Sequence, residues 1–180
     1  SWKKLGLTEA AALSIFVSGS FAWAIGDWFW SAPLFSLYIL FFLLIALIKN
    51  DRNLEQKKIT HHLEDTLPTV LGALIFILLY ATFEDESLFI PYITALSAGA
   101  AIAMGQLAIH RSLPLSPIIL LGAFAPTTPL LFAQTPFPFW EILSSSVLAV
   151  LLFYLLRHSQ LVGRRFIITL SAGLIAWGLF

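Results

Sequence analysis

Apolar residues run along this chain in seven segments, separated by short polar, acidic or basic stretches. A helix that crosses a bilayer needs roughly 17–25 mostly apolar residues, and most of the segments have about that length. The pattern predicts an all-α, polytopic transmembrane helical bundle of six or seven short spans, forming a single integral membrane domain over residues 1–180. The predicted spans cover residues 7–26, 33–48, 66–83, 89–109, 117–135, 139–156 and 166–180.

Most prolines mark the beginnings of the predicted spans, where a missing backbone N–H costs nothing: Pro33, Pro68, Pro91, Pro117 and Pro138. Only Pro126 and Pro129 lie deep inside a span. Each would clash with the carbonyl four residues earlier, which belongs to Gly122 and Ala125 respectively. This span is therefore predicted to be bent or broken. The bend should face protein or water, because unsatisfied carbonyls are costly in lipid.

Composition extends the membrane prediction to nearly the whole chain. Residues are 59% hydrophobic and 11% charged, whereas soluble domains are about 45–50% apolar and about 25% charged. The net charge is zero, which gives no electrostatic case for binding nucleic acid. The absence of cysteine excludes disulfides, thiolate metal sites and a cysteine nucleophile.

The charges predict an orientation. With seven alternating spans, all ten Lys and Arg residues fall on one side of the membrane, and basic residues in short loops are retained in the cytoplasm. The N-terminus is therefore expected in the cytoplasm, and the membrane is expected to be a plasma (inner) membrane or a thylakoid-like one. The opposite side has the loop 26–33 and an expected aromatic belt of Trp28, Phe29, Trp30, Phe139 and Trp140. A six-span chain with a re-entrant last segment keeps the same pattern.

Short sequence matches between the two halves of the chain suggest an internal repeat. Residues 70–80 resemble 147–157, and residues 11–14 resemble 94–97. Three-helix units in tandem must point in opposite directions, so the matches predict an inverted 3+3 repeat with one extra helix, as found in transporters and channels. The alternative is chance similarity between apolar helices.

Candidate substrate or pore residues surround the two internal prolines: Gly122, Pro126, Thr127, Thr128 and Pro129, together with Gln106 on the preceding span. Unwound backbone there could line a binding site, or the prolines could only kink a packed bundle. No ionisable residue lies near the centre of a span, which argues against an ion-coupled pump. The substrate of such a site could still be a neutral or lipophilic solute, or a cation held by backbone carbonyls.

A second candidate surface is a basic rim on the cytoplasmic side, formed by His110, Arg111, Arg157, His158, Arg164 and Arg165. It would contact anionic lipid headgroups or an acidic cytoplasmic partner. No metal-ligand spacing is evident and no cofactor is expected. The motifs of hydrolases, zinc proteases and P-loop proteins are absent, so no enzyme is predicted. A membrane enzyme working from the basic rim is a further alternative.

Small residues recur at four-residue spacing on two spans, which lets helix backbones approach closely: Ala10, Ser14, Ser18 and Ala22, and Ser97, Ala101 and Gly105. They either pack within the chain or receive a helix of another subunit. The first functional hypothesis is a non-enzymatic membrane subunit that acts by helix packing, with itself or with other membrane proteins. The alternative is a small transporter or channel with its site at the broken fifth span.

Overall fold

The computed structural model describes residues 9–49, 67–110, 114–132, 139–155 and 164–178, and these residues form helices and no strand. The six α-helices are α1 Glu9–Lys49, α2 Leu67–Phe83, α3 Phe89–His110, α4 Leu115–Phe124, α5 Phe139–Leu155 and α6 Arg164–Gly178. A 3₁₀ turn, Glu86–Leu88, precedes α3. A longer 3₁₀ helix, Ala125–Phe132, follows α4 and is called the proline segment below. The all-α prediction is confirmed.

Helix α1 is a hairpin of two arms, residues 9–26 and 28–49, that meet at Asp27. Asp27 has φ 58° and ψ −160°, a backbone conformation that no helix contains. Two residues 20 positions apart on a straight helix would be separated by about 30 Å. Instead, the hydroxyls of Ser18 and Tyr38 form a hydrogen bond across the arms. The chain therefore reverses direction at a single residue.

This reversal corrects the predicted boundaries of the second span. The polar and aromatic stretch 26–33 was expected to be a loop, yet it is helical on both sides of Asp27. Because one residue with positive φ turns the chain, no loop is needed. The second arm consequently begins before Pro33, and Pro33 lies inside the helix instead of at its first turn.

Helix α3 is the central element of the bundle. Every residue from 91 to 102 is buried, and the helix contacts α2, α4, α5 and α6. A helix that is apolar on all sides is expected to be buried on all sides. The large buried residues Tyr92, Ile93 and Leu96 belong to one core cluster with side chains of α1 and α2.

Close helix approach depends on glycine. A Cβ on Gly72 of α2 would collide with Thr169 of α6, and one on Gly173 of α6 would collide with the ring of Phe76 and lie 2.9 Å from the carbonyl oxygen of Pro91. Gly72 of α2 meets Thr169 of α6, and Phe76 of α2, four residues later, meets Gly173 of α6, also four residues later. Helices α2 and α6 therefore run in the same direction.

The small-residue stripes pack within the chain wherever their side chains are described; the side chains of Ala10 and Ser14 lie outside the described set. Ser18 and Ala22 on α1 are buried, as are Ser97, Ala101 and Gly105 on α3. These positions are therefore occupied by the protein's own helices, and the alternative in which they receive a helix of another subunit is wrong for them. The buried hydroxyl of Ser97 has no hydrogen-bond partner among the described residues.

Among the described residues, two stretches are long and apolar enough to cross a membrane. They are Ile15–Leu44, of 30 residues, and Glu86–Ile109, of 24 residues, with mean hydropathy 1.5 and 1.6. The first contains the reversal at Asp27, and the second is the central helix with its preceding turn. Shorter apolar helices cover Val70–Phe83, Leu115–Leu131 and Phe166–Ala176.

Candidate functional site

The proline pair breaks the fifth predicted span as expected. Helix α4 ends at Phe124, where the N–H of Ala125 still donates to the carbonyl of Leu121. From Ala125 onward the chain continues for eight residues as the 3₁₀ proline segment. Runs of 3₁₀ helix longer than three or four residues are uncommon. The length of this one follows from two prolines that cannot donate α-helical hydrogen bonds.

Hydroxyl groups bind the carbonyls at this break. Pro129 has no N–H to offer the carbonyl of Ala125, and that carbonyl accepts from Thr128 Oγ1 at 2.5 Å and from Ser36 Oγ at 2.6 Å. Thr127 Oγ1 donates to the carbonyl of Phe124 at 2.8 Å. The two threonines thus supply local donors, while Ser36 joins the break to the second arm of α1, 89 residues away in the sequence.

The break faces protein. Ala125, Pro126, Thr127 and Leu130 are buried, Pro129 is partly buried, and Thr128 is exposed. The proline segment packs against α1 and, over a smaller contact, against α3. This agrees with the expectation that the bend would face protein, because its freed carbonyls accept hydrogen bonds from neighbouring hydroxyls.

Gly122 and Gln106 lie on different sides of α3. A Cβ on Gly122 would lie 2.8 Å from the carbonyl oxygen of Ala100 and 2.8 Å from Cγ of Met104, so Gly122 sits directly on the central helix. Gln106 is two residues beyond Met104, which places it about 200° further around that helix. Gly122 and the proline segment therefore form one region, and partly buried Gln106 points to another.

The basic rim is only partly covered by the described residues. His110 is the last residue of α3, and Arg164 and Arg165 begin α6. Arg111, Arg157 and His158 lie outside the described residues. No group of three or more His, Cys, Asp or Glu side chains within the described ranges is arranged to hold a metal ion.

A shallow groove of about 400 Å³ lies on the outer face of α5. It is lined by Trp140, Ser144, Val147, Leu148 and Leu151, and we call it the α5 groove. The lining positions follow the spacing of one helical face. All five side chains are exposed, and four of them are apolar. The sequence pattern placed Trp140 in the outer aromatic belt and did not group these five residues into one surface.

Aromatic side chains gather where the Asp27 turn meets the connection between α2 and α3. Trp30 stacks on Tyr80 with ring centroids 4.5 Å apart, and Phe29 stacks on Phe89 at 4.2 Å. The hydroxyl of Tyr92 donates to the carbonyl of Trp30 at 2.7 Å. Trp30 is therefore a core residue, which corrects its expected place in an outer aromatic belt.

Three residues of the contacts described so far were not indicated by the sequence: Ser36, Tyr38 and Tyr92. The only available signal was a polar group within an apolar run, and such a signal does not reveal a partner far away in the chain. Comparisons with protein-family models, curated proteins and solved structures give no match to this chain. Its function therefore has to be argued from its own residues.

Proposed function

We propose that this chain is a non-enzymatic polytopic membrane subunit that acts by helix packing within a homo- or hetero-oligomeric membrane complex. The observation that carries the proposal is the closed proline break. The segment where a transporter would be expected to expose unwound backbone is bound by Ser36 and Thr128 at the Ala125 carbonyl. Pro126 and Thr127 are buried there. A break whose freed carbonyl is bound by side chains of the same protein has the role of shaping a bundle.

The outer surface supports a lipid environment. Soluble monomers rarely expose contiguous apolar patches larger than a few hundred Å². Here large apolar side chains are exposed on the described faces of α1, α2, α5 and α6, including Phe16, Val17, Ile39, Leu43, Leu71, Leu78, Leu148, Leu151 and Leu174. Acyl chains would solvate these faces at no hydrophobic cost. The membrane we propose is a plasma or thylakoid-like membrane.

Seven passes with a cytoplasmic N-terminus are part of the proposal. The reversal at Asp27 supplies the first two passes, and the proline segment extends α4 into one further pass. The Asp27 turn and the acidic turn Glu84–Glu86 lie at the same end of the bundle, because Phe29 stacks on Phe89 and Trp30 on Tyr80. No Lys or Arg occurs between residues 5 and 48 or between residues 59 and 110, as expected for an end that faces away from the cytoplasm. The inverted repeat stays a prediction.

The α5 groove is the surface we propose for a neighbouring subunit. Its exposed lining is apolar apart from Ser144 and repeats with helical spacing over Trp140 to Leu151. A single apolar helix of the neighbouring subunit fits such a face, and tryptophan is a frequent anchor of protein contacts. An acidic cytoplasmic protein that binds the basic rim would be an additional partner, beside the neighbouring membrane subunit.

Cysteine cross-linking tests the proposal, since the native chain has no cysteine. Leu148→Cys places a thiol in the α5 groove. Leu174→Cys places one on α6 at the same exposed fraction, 46%, and serves as the matched control. In native membranes a photo-crosslinker attached to the thiol, whose photoactivated end inserts into C–H bonds of the molecule it touches, should give a discrete protein adduct from Leu148→Cys and none from Leu174→Cys.

A second pair of variants decides between the subunit and the transporter. Thr127→Cys is buried at the break and Thr128→Cys is exposed there. Neither should react with a membrane-impermeant, water-soluble thiol reagent if the break packs against protein and lipid. Labelling at either position, together with no adduct from Leu148→Cys, would replace the subunit proposal with a transporter for a neutral or lipophilic solute.

A further inference from the structure

Two tryptophans form an exposed corner at the Asp27 turn. Trp23, on the first arm of α1, and Trp28, on the second, have ring centroids 5.8 Å apart with their planes at 76°. Trp28 also stacks on Phe35 at 6.2 Å and 26°. Trp23 is 50% exposed and Trp28 is 62% exposed. We call Trp23, Trp28 and Phe35 the aromatic corner, whose two indole planes stand nearly perpendicular to each other.

A carboxylate lies in the chain between the two indoles. Asp27 is exposed and has φ 58° and ψ −160°, a backbone region that is essentially restricted to glycine and costs other residues about 1–3 kcal/mol. No basic residue is near it in the sequence, because the closest are Lys4 and Lys49. The turn therefore has a carboxyl group in a stretch, residues 5 to 48, that contains no Lys or Arg.

Two exposed indoles, with a carboxylate on the residue that precedes Trp28, have the chemistry that binds an ammonium group. A cation within about 6 Å of an indole centroid is attracted by the ring quadrupole, and tryptophan is the best ring for this. The carboxylate adds a direct charge attraction. We propose that the aromatic corner and Asp27 bind the ammonium group of a zwitterionic phospholipid headgroup, such as that of phosphatidylcholine.

The aromatic corner lies at the end of a membrane helix, which makes a lipid headgroup the ammonium group within its reach. The inference rests on the membrane location in the proposed function, and it is independent of any partner subunit. The first arm exposes Phe16 and Val17 toward the bilayer, and the corner lies at the end of that arm. Tryptophans at the ends of membrane helices lie at the level of the headgroups. A headgroup would therefore reach the corner without leaving the bilayer.

Lipid competition on the full chain tests the inference. The protein is purified in a non-ionic detergent and mixed with equal amounts of phosphatidylcholine and anionic phosphatidylglycerol, and native mass spectrometry counts each bound lipid. The variants are Trp28→Leu, Asp27→Asn and Trp28→Phe, which keeps an aromatic face. The matched control is Phe83→Leu, because Phe83 is 68% exposed and ends α2 near the same turn.

We expect phosphatidylcholine to be retained over phosphatidylglycerol by the native chain. Trp28→Leu should lower this ratio by about two- to five-fold, the loss expected for one exposed cation–π contact. Asp27→Asn should lower it as well, because it removes the charge attraction. Trp28→Phe should keep most of the ratio, and Phe83→Leu should leave it unchanged. Asp27→Asn is a nearly isosteric change at an exposed position, so it keeps the test decisive if Trp28→Leu fails to fold.

Equal ratios in the native chain, Trp28→Leu and Asp27→Asn would overturn the inference and leave the tryptophans as non-selective interfacial anchors. Soluble tetramethylammonium that binds as tightly as the lipid would overturn the assignment to a headgroup. A chain that an alkaline wash removes from membranes would refute the proposed membrane location as well. The two failures are distinguishable, because a failed lipid competition would leave the chain inserted in the membrane.

Discussion

Adding one methyl group at Gly122 should destabilise the protein, because the new carbon would press on the backbone of the central helix. The Cβ of Gly122→Ala would lie 2.8 Å from the carbonyl oxygen of Ala100 and 3.0 Å from its carbonyl carbon. Carbon and oxygen atoms in close packing stay about 3.3–3.6 Å apart. Helix α4 would consequently have to move away from α3 by about 0.5 Å.

The expected magnitude comes from two opposing effects. Overpacking of a core costs about 1–3 kcal/mol, and a contact with a rigid backbone should lie in the upper part of that range. Replacing glycine by alanine in a helix returns about 0.5–1 kcal/mol. The net loss in the free energy of unfolding for Gly122→Ala should therefore be about 1–2 kcal/mol.

Gly19→Ala is the matched control, since a Cβ there would meet only the ring of Phe35 at 3.5 Å, an ordinary contact distance. This variant should be stabilised by about 0.5–1 kcal/mol. Both variants are compared by titrating the protein in mild detergent with sodium dodecyl sulfate and following helix content by circular dichroism. If Gly122→Ala proves as stable as Gly19→Ala, the close approach of α4 to α3 through Gly122 is wrong.

Four further predictions concern single contacts and use the same unfolding titration. Ser36→Ala removes the hydrogen bond between α1 and the proline segment. It should lower the free energy of unfolding by about 0.6 kcal/mol, the average for hydrogen bonds between membrane helices, and no change would show that this bond is not formed. Tyr92→Phe removes a fully buried bond to Trp30 and should cost about 1 kcal/mol, with native stability counting against that bond. Glu84→Gly should stabilise by about 0.5–1 kcal/mol, because Glu84 has φ 54°; a loss of stability would contradict that backbone conformation. Asp27→Gly should stabilise the protein by about 1–3 kcal/mol, because glycine tolerates this backbone conformation. It should also weaken phosphatidylcholine retention, because the carboxylate is lost; unchanged retention would show that Asp27 does not contribute to lipid binding.

The sequence by itself was sufficient for the helical class and for the broken fifth span. Apolar runs of span length predict helices, and this holds because each helix satisfies its own backbone locally. The position of the break also follows from local chemistry. Pro126 and Pro129 remove backbone donors wherever the helix lies, and Thr127 and Thr128 are close enough in sequence to supply hydroxyls.

Tertiary structure decided which residues of those helices meet. The contacts of Ser36 with Ala125, Ser18 with Tyr38 and Tyr92 with Trp30 join residues that are 20 to 89 positions apart. The sequence predicted a reversal within the loop 26–33 but did not show that Asp27 alone makes it, because an aspartate in a glycine-like conformation gives no local signal. In a chain whose helices are apolar on every side, hydrophobic pattern does not distinguish an inward face from an outward one. The pairing of helices is set by shape, close glycine contacts and single hydroxyl bonds, and these depend on where the whole chain brings its segments together.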